Sequence, residues 1–358
     1  MTSGHFFNDP RIFHKECRTL AQQGFEVHFI APDGPEKIES GVHIHGIPGG
    51  SIRIKRMFVT TYRVYRKAKE IDAHIYHFHD PDLILAGLLL KKAGKKVIYD
   101  VHEDVPRQIL SKQWIPKPLR KFVSRLFETL EKAVSKKFDG IIAATPFIAQ
   151  RFERYGCNTE VICNFPEVDE LILDESIPFP QENSVIYIGG YSRVRGLFHM
   201  IEAIGMTDYR LYLAGYFLEK SDIDAVKSMS GWKKTVELGF LNRDQIRQYF
   251  ARSRAGLVVL HPIVNYLEAY PVKMFEYMSA GLPIIASNFP LWREIVEGNQ
   301  CGICVNPLNS EEIKQAIEWI MEHPEEAEKM GQNGRRAVEE KYNWEKEGQK
   351  LMAFYNRL

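Results

Sequence analysis

This 358-residue chain has little that would suit a secreted or membrane-spanning protein. Its five cysteines are too few and too scattered for the disulfide framework of a small extracellular domain. Cys301 and Cys304 have the spacing of a redox pair or half a zinc site, but no second pair accompanies them and their segment reads as a buried strand. The chain opens without a signal peptide, and its longest unbroken apolar run, Leu83–Leu90, falls well short of the roughly 20 residues that span a bilayer. A cytoplasmic protein is expected. Net charge is also nearly absent, at +1, and no nucleic-acid partner is expected.

That small net charge hides an asymmetry. Residues 1–160 carry 26 Lys and Arg against 18 Asp and Glu, and residues 161–358 carry the remaining 21 against 28. Much of the basic excess lies in two runs, Arg53 to Lys69 and Lys112 to Lys137. In the second, Leu119, Phe122, Val123, Leu126, Phe127 and Leu130 recur at helical spacing. Such a helix either rests on an anionic membrane surface or turns its apolar stripe to a core and its basic back to water. Nine of the twelve histidines fall within the first 102 residues.

Length allows two domains of ordinary size, and the pattern of alternating strands and helices predicts doubly wound sheets in both. In the first half, strands are expected at Glu26–Ala31, Ala73–Phe78, Lys96–Val101 and Gly140–Ala143, with a last one at Glu160–Asn164. The strand ends carry His77, His79, Asp80 and Asp82, then Asp100, His102, Glu103 and Asp104. These groups could ligate a metal, or hydrogen-bond one another and a substrate; the second reading is preferred. The polar, proline-containing stretch from Asn164 to Pro180 reads as the interdomain linker. The second half opens with the strand Val185–Ile188, then Gly189, Gly190, Arg193, Arg195 and Gly196, then a helix with Leu197, Met200, Ile201 and Ile204 on one face. Strand, glycine loop and helix make a diphosphate cradle, because glycines let the backbone approach and a helix N-terminus favours negative charge. Further strands are expected at Arg210–Ala214, Thr235–Leu238 and Ala255–Leu260.

The stretch Asn265–Pro283 organises the rest. Pro271 suits the first position of a helix and Gly281 the position just past its end, where φ is positive, so a helix is predicted over about Pro271–Ala280. Glu268 and Glu276 stand eight apart, beside Lys273 and the free N–H groups of the helix start. Carboxylates suit sugar hydroxyls; amides and a lysine suit phosphate.

Pro271, Lys273, Phe275, Glu276, Tyr277, Met278, Gly281 and Pro283, with the E-x7-E pair, resemble the bacterial polysaccharide-assembly members of glycosyltransferase family 4. The resemblance implies the GT-B fold: two Rossmann-like doubly wound α/β domains facing a cleft, here 1–166 on the acceptor side, 167–342 binding the nucleotide sugar, and a helix at 343–358 crossing back to the first domain. In that family a strand precedes the loop matching Gly4-His5; it is missing here, as expected if the sequence is trimmed at its N-terminus or its start codon is misassigned. His102 matches the histidine that faces the transferred sugar, and Glu268 and Glu276 match the residues near that sugar and on the ribose. Arg195-Gly196 matches the family's Lys-Gly, while Gly190 stands where an arginine is usual and Arg193 is expected to substitute. Phe240 and Leu241 follow Gly239 in the loop that lies against the base in the family, or else fill the core.

The implied activity is retaining transfer from a nucleoside diphosphate sugar, UDP preferred, to a hydroxyl of a glycan or lipid-linked glycan acceptor in cell-surface polysaccharide synthesis. The catalytic set is His102, Glu268, Arg195 and Lys273, and the donor-binding set Gly189, Gly190, Arg193, Arg195, Glu276 and Phe240. No cofactor and no catalytic metal are expected. Peripheral contact with an anionic membrane suits the basic first half. The alternatives are a nucleotide-sugar epimerase of similar architecture and a catalytically inactive nucleotide-sugar-binding protein.

Overall fold

The computed structural model describes residues 1–50, 56–112, 115–171, 173 and 182–358; the basic residues Arg53 and Lys55 and most of the linker lie outside them. The chain divides into two compact units, Met1–Asn164 with Lys346–Leu358, and Phe165–Glu345.

The first unit holds a three-stranded sheet, β1 (Val27–Pro32), β2 (Lys37–Glu39) and β3 (Val42–Ile47), in the order β1-β3-β2, with β1 and β3 parallel. Beside it lie four parallel strands in sequence order, β4 (Ile75–Phe78), β5 (Lys96–Val101), β6 (Gly140–Ala143) and β7 (Thr159–Val161). Where a central strand was expected to be missing, Met1 and Thr2 join the two sheets: Thr2 N–H donates to the Ile30 carbonyl at 3.0 Å, and His79 N–H donates to the Met1 carbonyl at 3.2 Å. The strands β2 and β3 were not anticipated. In β3, buried Val42 and Ile44 alternate with half-buried His43 and His45, a period of two obscured by the glycines around it.

A helical segment, Pro10–Cys17 running into Arg18–Gln22, begins where the Asp9 carboxylate accepts from the N–H groups of Arg11 and Ile12. Its apolar face, Ile12, Phe13 and Cys17, closes a small core with Phe29, Ala31, Val42 and Ile44. A larger core gathers Phe78, Tyr99, Val101, Ile141, Ala143 and Phe152 around the four parallel strands. Each fully buried phenylalanine contributes about 1.5–3 kcal/mol relative to exposure.

The helix Lys117–Ser135 is built inside out relative to a core-facing amphipath. Its buried positions are Ser124, Glu131, Val134 and Ser135, while Leu119, Phe122, Leu126 and Leu130 are 51, 65, 59 and 47% exposed. The polar inner face is satisfied: Glu131 pairs with Arg151 on the helix Pro146–Arg154, Tyr99 Oη donates to Glu131 at 3.3 Å, and Ser124 Oγ donates to the Pro106 carbonyl at 2.7 Å. The reading of this stripe as core-facing is therefore corrected; of the six apolar positions, Phe127 packs against the core and four face outward. Among the described residues no helix is long and apolar enough to cross a membrane.

The second unit is a six-stranded parallel sheet: β8 (Ser184–Ile188), β9 (Arg210–Ala214), β10 (Thr235–Gly239), β11 (Ala255–Val258), β12 (Ile284–Ser287) and β13 (Gly302–Val305), in the order β10-β9-β8-β11-β12-β13. The order reverses between β8 and β11. In open α/β sheets such a switch point leaves a crevice at the carboxyl ends of the two strands, where ligands bind. The residues that follow β8 and β11 are therefore placed to form a site.

Candidate functional site

The loop after β8 and the helix after β11 converge in the second unit. Gly189 has φ 120°, and a Cβ there would lie 3.0 Å from Lys273 Nζ and 3.8 Å from Arg195 Nη1. Gly215, at φ 148°, brings its own backbone so close that a Cβ would reach 1.9 Å from the Gly189 carbonyl oxygen. Both positions need glycine, for torsion and for space. The short helical turn Arg193–Arg195 then leads into the helix Leu197–Gly205, and Arg195 Nη1 donates to the Gly190 carbonyl at 3.5 Å.

Lys273 lies in the first turn of the helix Val272–Ser279. Its Nζ is buried, has no hydrogen-bond partner, and sits 3.6 Å from the centroid of the Tyr187 ring. Burial, and then the Arg195 charge, push this ammonium well below the usual lysine range, against the pull of Glu276. A buried donor left unpaired costs about 1–3 kcal/mol, which an anion seated on Lys273 and Arg195 would offset.

The predicted helix is present with its start shifted by one: Pro271, with ψ 120°, is the residue before the helix rather than its first member. Gly281 follows it at φ 72°, the left-handed position that glycine favours. Glu276 is buried within this helix, and its Oε1 lies 2.5 Å from Arg243 Nη1. Glu268 is exposed and ends the separate short helix Val264–Leu267. Arg193 is engaged away from Lys273: its Nε donates to Asp222 at 2.8 Å and its guanidinium covers the Phe198 ring at 4.0 Å. Gly190 abuts Leu218. Phe240 is 85% exposed, so it does not fill the core.

In the first unit the strand ends meet around Asp100, which is fully buried. Arg11 grips both its oxygens at 3.1 Å; His77 and His79 lie 3.4 and 3.5 Å from Oδ2, and His102 Nε2 lies 3.5 Å from Oδ1. Burial alone would raise the Asp100 carboxyl, but Arg11 and the imidazoles of His102 and His77 hold it well below the usual range. Glu16, 2.8 Å from Arg11 Nε, goes the other way, raised by burial and by the Asp100 charge. Burial lowers His79 well below the ordinary histidine value. His77 Nδ1 and Tyr355 Oη of the C-terminal helix Trp344–Tyr355 are hydrogen-bonded at 2.9 Å.

The acidic and imidazole groups at the strand ends thus assemble as anticipated for His77, His79 and His102, joined by Arg11 and Glu16, which sequence reasoning missed. Asp80 instead holds the N-terminal loop, accepting from Thr2 Oγ1 at 2.6 Å and Ser3 N–H at 2.7 Å, and Glu103 faces Gln108. One ligand atom each from Glu16, His79, Asp100 and His102 falls within 4.8 Å of the others, close enough to hold a metal. Arg11 already neutralises that carboxylate, so the cluster is charge-balanced as it stands.

A family model described as Glycosyl transferases group 1 matches residues 169–337, and one described as Glycosyltransferase Family 4 matches residues 11–170. The D-rhamnosyltransferase WbpZ of Pseudomonas aeruginosa is 22% identical over 352 residues, covering 90% of this chain and 85% of that protein. The solved sucrose-phosphate synthase of Thermosynechococcus elongatus superposes with a TM-score of 0.79 at 18% identity, covering 99% of this chain and 94% of its own. Anabaena HepE in complex with UDP gives a TM-score of 0.72 at 15% identity, covering 96% and 95%.

Proposed function

The chain belongs to the family 4 glycosyltransferases of GT-B fold, and from that premise we propose that it transfers a sugar, with retention of configuration, from a nucleoside diphosphate donor to a hydroxyl of a glycan or lipid-linked glycan acceptor. The observation that carries the donor reading is Lys273: a buried, unpartnered ammonium beside Arg195 and a glycine that no other residue could replace without filling the cradle. It is a site made for an anion of more than one charge, placed at the switch point of the sheet.

In the proposed reaction the bond from the anomeric carbon to the diphosphate oxygen breaks. A new bond forms from that carbon to the acceptor oxygen on the same face, and the acceptor proton passes to a departing diphosphate oxygen. Lys273, Arg195 and the amides at the start of the Val272–Ser279 helix stabilise the charge that develops on the leaving group. Glu276 takes the ribose hydroxyls and Glu268 the hydroxyls of the transferred sugar. His102, held by Asp100, steadies the positive charge at the sugar. Gly189 gives the diphosphate room, Gly190 lets Leu218 close on the loop, Arg193 would have to leave Asp222 to reach a phosphate, and exposed Phe240 covers the base. No cofactor or metal is assigned a step.

UDP is the proposed nucleotide, supported by its presence in the HepE complex, and cell-surface polysaccharide synthesis is the proposed setting. The outward stripe of Leu119, Phe122, Leu126 and Leu130, flanked by Lys117, Lys121 and Arg125, supports contact with an anionic membrane surface. Melting of the protein with UDP, GDP, CDP and ADP tests the donor assignment: UDP is expected to raise Tm, and Arg195→Ala to abolish the shift. A shift by UDP that survives Arg195→Ala would place the nucleotide elsewhere.

A further inference from the structure

Arg243, the first residue of the helix Arg243–Phe250, has no counterpart in the sequence reading, yet it joins three parts of the second unit. Its Nη1 lies 2.5 Å from Glu276 Oε1, and its Nε lies 2.8 Å from Oε1 of Glu170, in the segment that opens this unit. It also directly follows the loop Phe240-Leu241-Asn242, so the first residue after this loop is the one that fastens Glu276. The helix it begins is held independently by a reciprocal cap, in which Asn242 accepts from the Gln245 N–H and Gln245 accepts from the Asn242 N–H.

A carboxylate in a helix interior can adopt several rotamers, and fixing it in one before a ligand arrives removes an ordering cost from binding. Arg243 occupies Oε1 of Glu276, while Oε2 makes no hydrogen bond among the described residues. The guanidinium fork is suited to this because one nitrogen is anchored on Glu170 while another holds Glu276, a geometry an ammonium cannot reproduce. The pair also offsets the Glu276 charge, which would otherwise oppose an anionic ligand.

We infer that Arg243 is a positioning residue for donor recognition: clamped by Glu170, it holds the Glu276 carboxylate so that its second oxygen reads the ribose hydroxyls of the nucleotide. The inference rests on the proposed role of Glu276 and extends it to a residue that touches no substrate.

The test is discrimination by the sugar of the nucleotide. UDP, GDP, CDP and ADP are each titrated into the full chain beside their 2′,3′-dideoxy counterparts, with wild type, Glu276→Ala, Arg243→Ala and Arg243→Lys. For the nucleotide that binds, wild type is expected to prefer the ribose form by about tenfold or more. Glu276→Ala should abolish that preference, Arg243→Ala should reduce it to within about threefold of Glu276→Ala, and Arg243→Lys should fall short of restoring it. Should Arg243→Ala not fold, Arg243→Gln, which keeps the stem without the charge, is held to the same expectation. A loss of affinity that is equal for ribose and dideoxy forms, with the preference intact, would overturn the positioning role and leave Arg243 a structural tie. If Glu276→Ala itself keeps the preference, the ribose assignment of Glu276 is wrong and the inference falls with it, so the two failures are told apart.

Discussion

Lys273 carries a folding penalty that a bound anion would offset. Its ammonium is buried without a partner and held well below the usual lysine range by burial and by Arg195. A diphosphate beside it would raise that value again. Binding at a pH between the lowered value of the free protein and the higher one of the complex should therefore take up a proton, and affinity should be highest below the lowered value and decline as pH rises through it. Calorimetric titration of UDP in buffers of different ionisation enthalpy measures the uptake directly. In Lys273→Met the uptake should vanish and affinity should fall about tenfold or more, with the free protein no less stable, because an unsatisfied donor has been removed. Proton uptake unchanged in that variant would assign the titrating group elsewhere. At this scale the sequence was readable where chemistry is local: Lys273, Glu276 and Gly281 share one stretch. It was unreadable where partners lie far apart, as for Arg243 with Glu276 or Arg11 with Asp100, because no spacing rule connects residues 33 or 89 positions apart.

Two helices carry the next scale. Periodicity announced Lys117–Ser135 as amphipathic but could not say which face meets the protein, since a stripe of Leu and Phe is the same pattern against a core or a membrane. The deciding residue is Glu131, whose burial against Arg151 turns the polar face inward. Burial tends to raise its carboxyl even against the Arg151 charge, so the helix depends on the pair staying intact. Glu131→Ala leaves Arg151 buried and unpaired and should cost about 3–5 kcal/mol in urea unfolding. Replacing both partners with leucine should recover much of that loss. A cost below about 1 kcal/mol for Glu131→Ala would mean the inner face is held by packing alone. The outward stripe makes a separate prediction. Phe122→Glu with Leu126→Glu should reduce cosedimentation with phosphatidylglycerol vesicles severalfold while leaving the nucleotide-induced Tm shift unchanged. Equal binding of variant and wild type would remove the membrane reading. In the helix Val272–Ser279, by contrast, proline and glycine punctuate each end, and the sequence located it to within a residue because φ restrictions are local.

For the molecule as a whole, the alternation of strands and helices was enough to identify two doubly wound units, and the observed order in the second unit places Gly189, Arg195 and Lys273 at its switch point. The strands β2 and β3 escaped notice because β2 is only three residues long and the alternation in β3 sets Val42 and Ile44 against histidines rather than charged residues. The proposed function requires that Lys273 and Arg195 at that switch point hold the leaving group of a sugar transfer. The most direct measurement supplies α-linked nucleoside diphosphate sugars, UDP-linked first, and follows nucleoside diphosphate release together with the anomeric proton of the first product by NMR. The account predicts an α product formed first, with release lost in the Arg195→Ala/Lys273→Met double variant. A β product formed first, or release that survives the double variant, would contradict it.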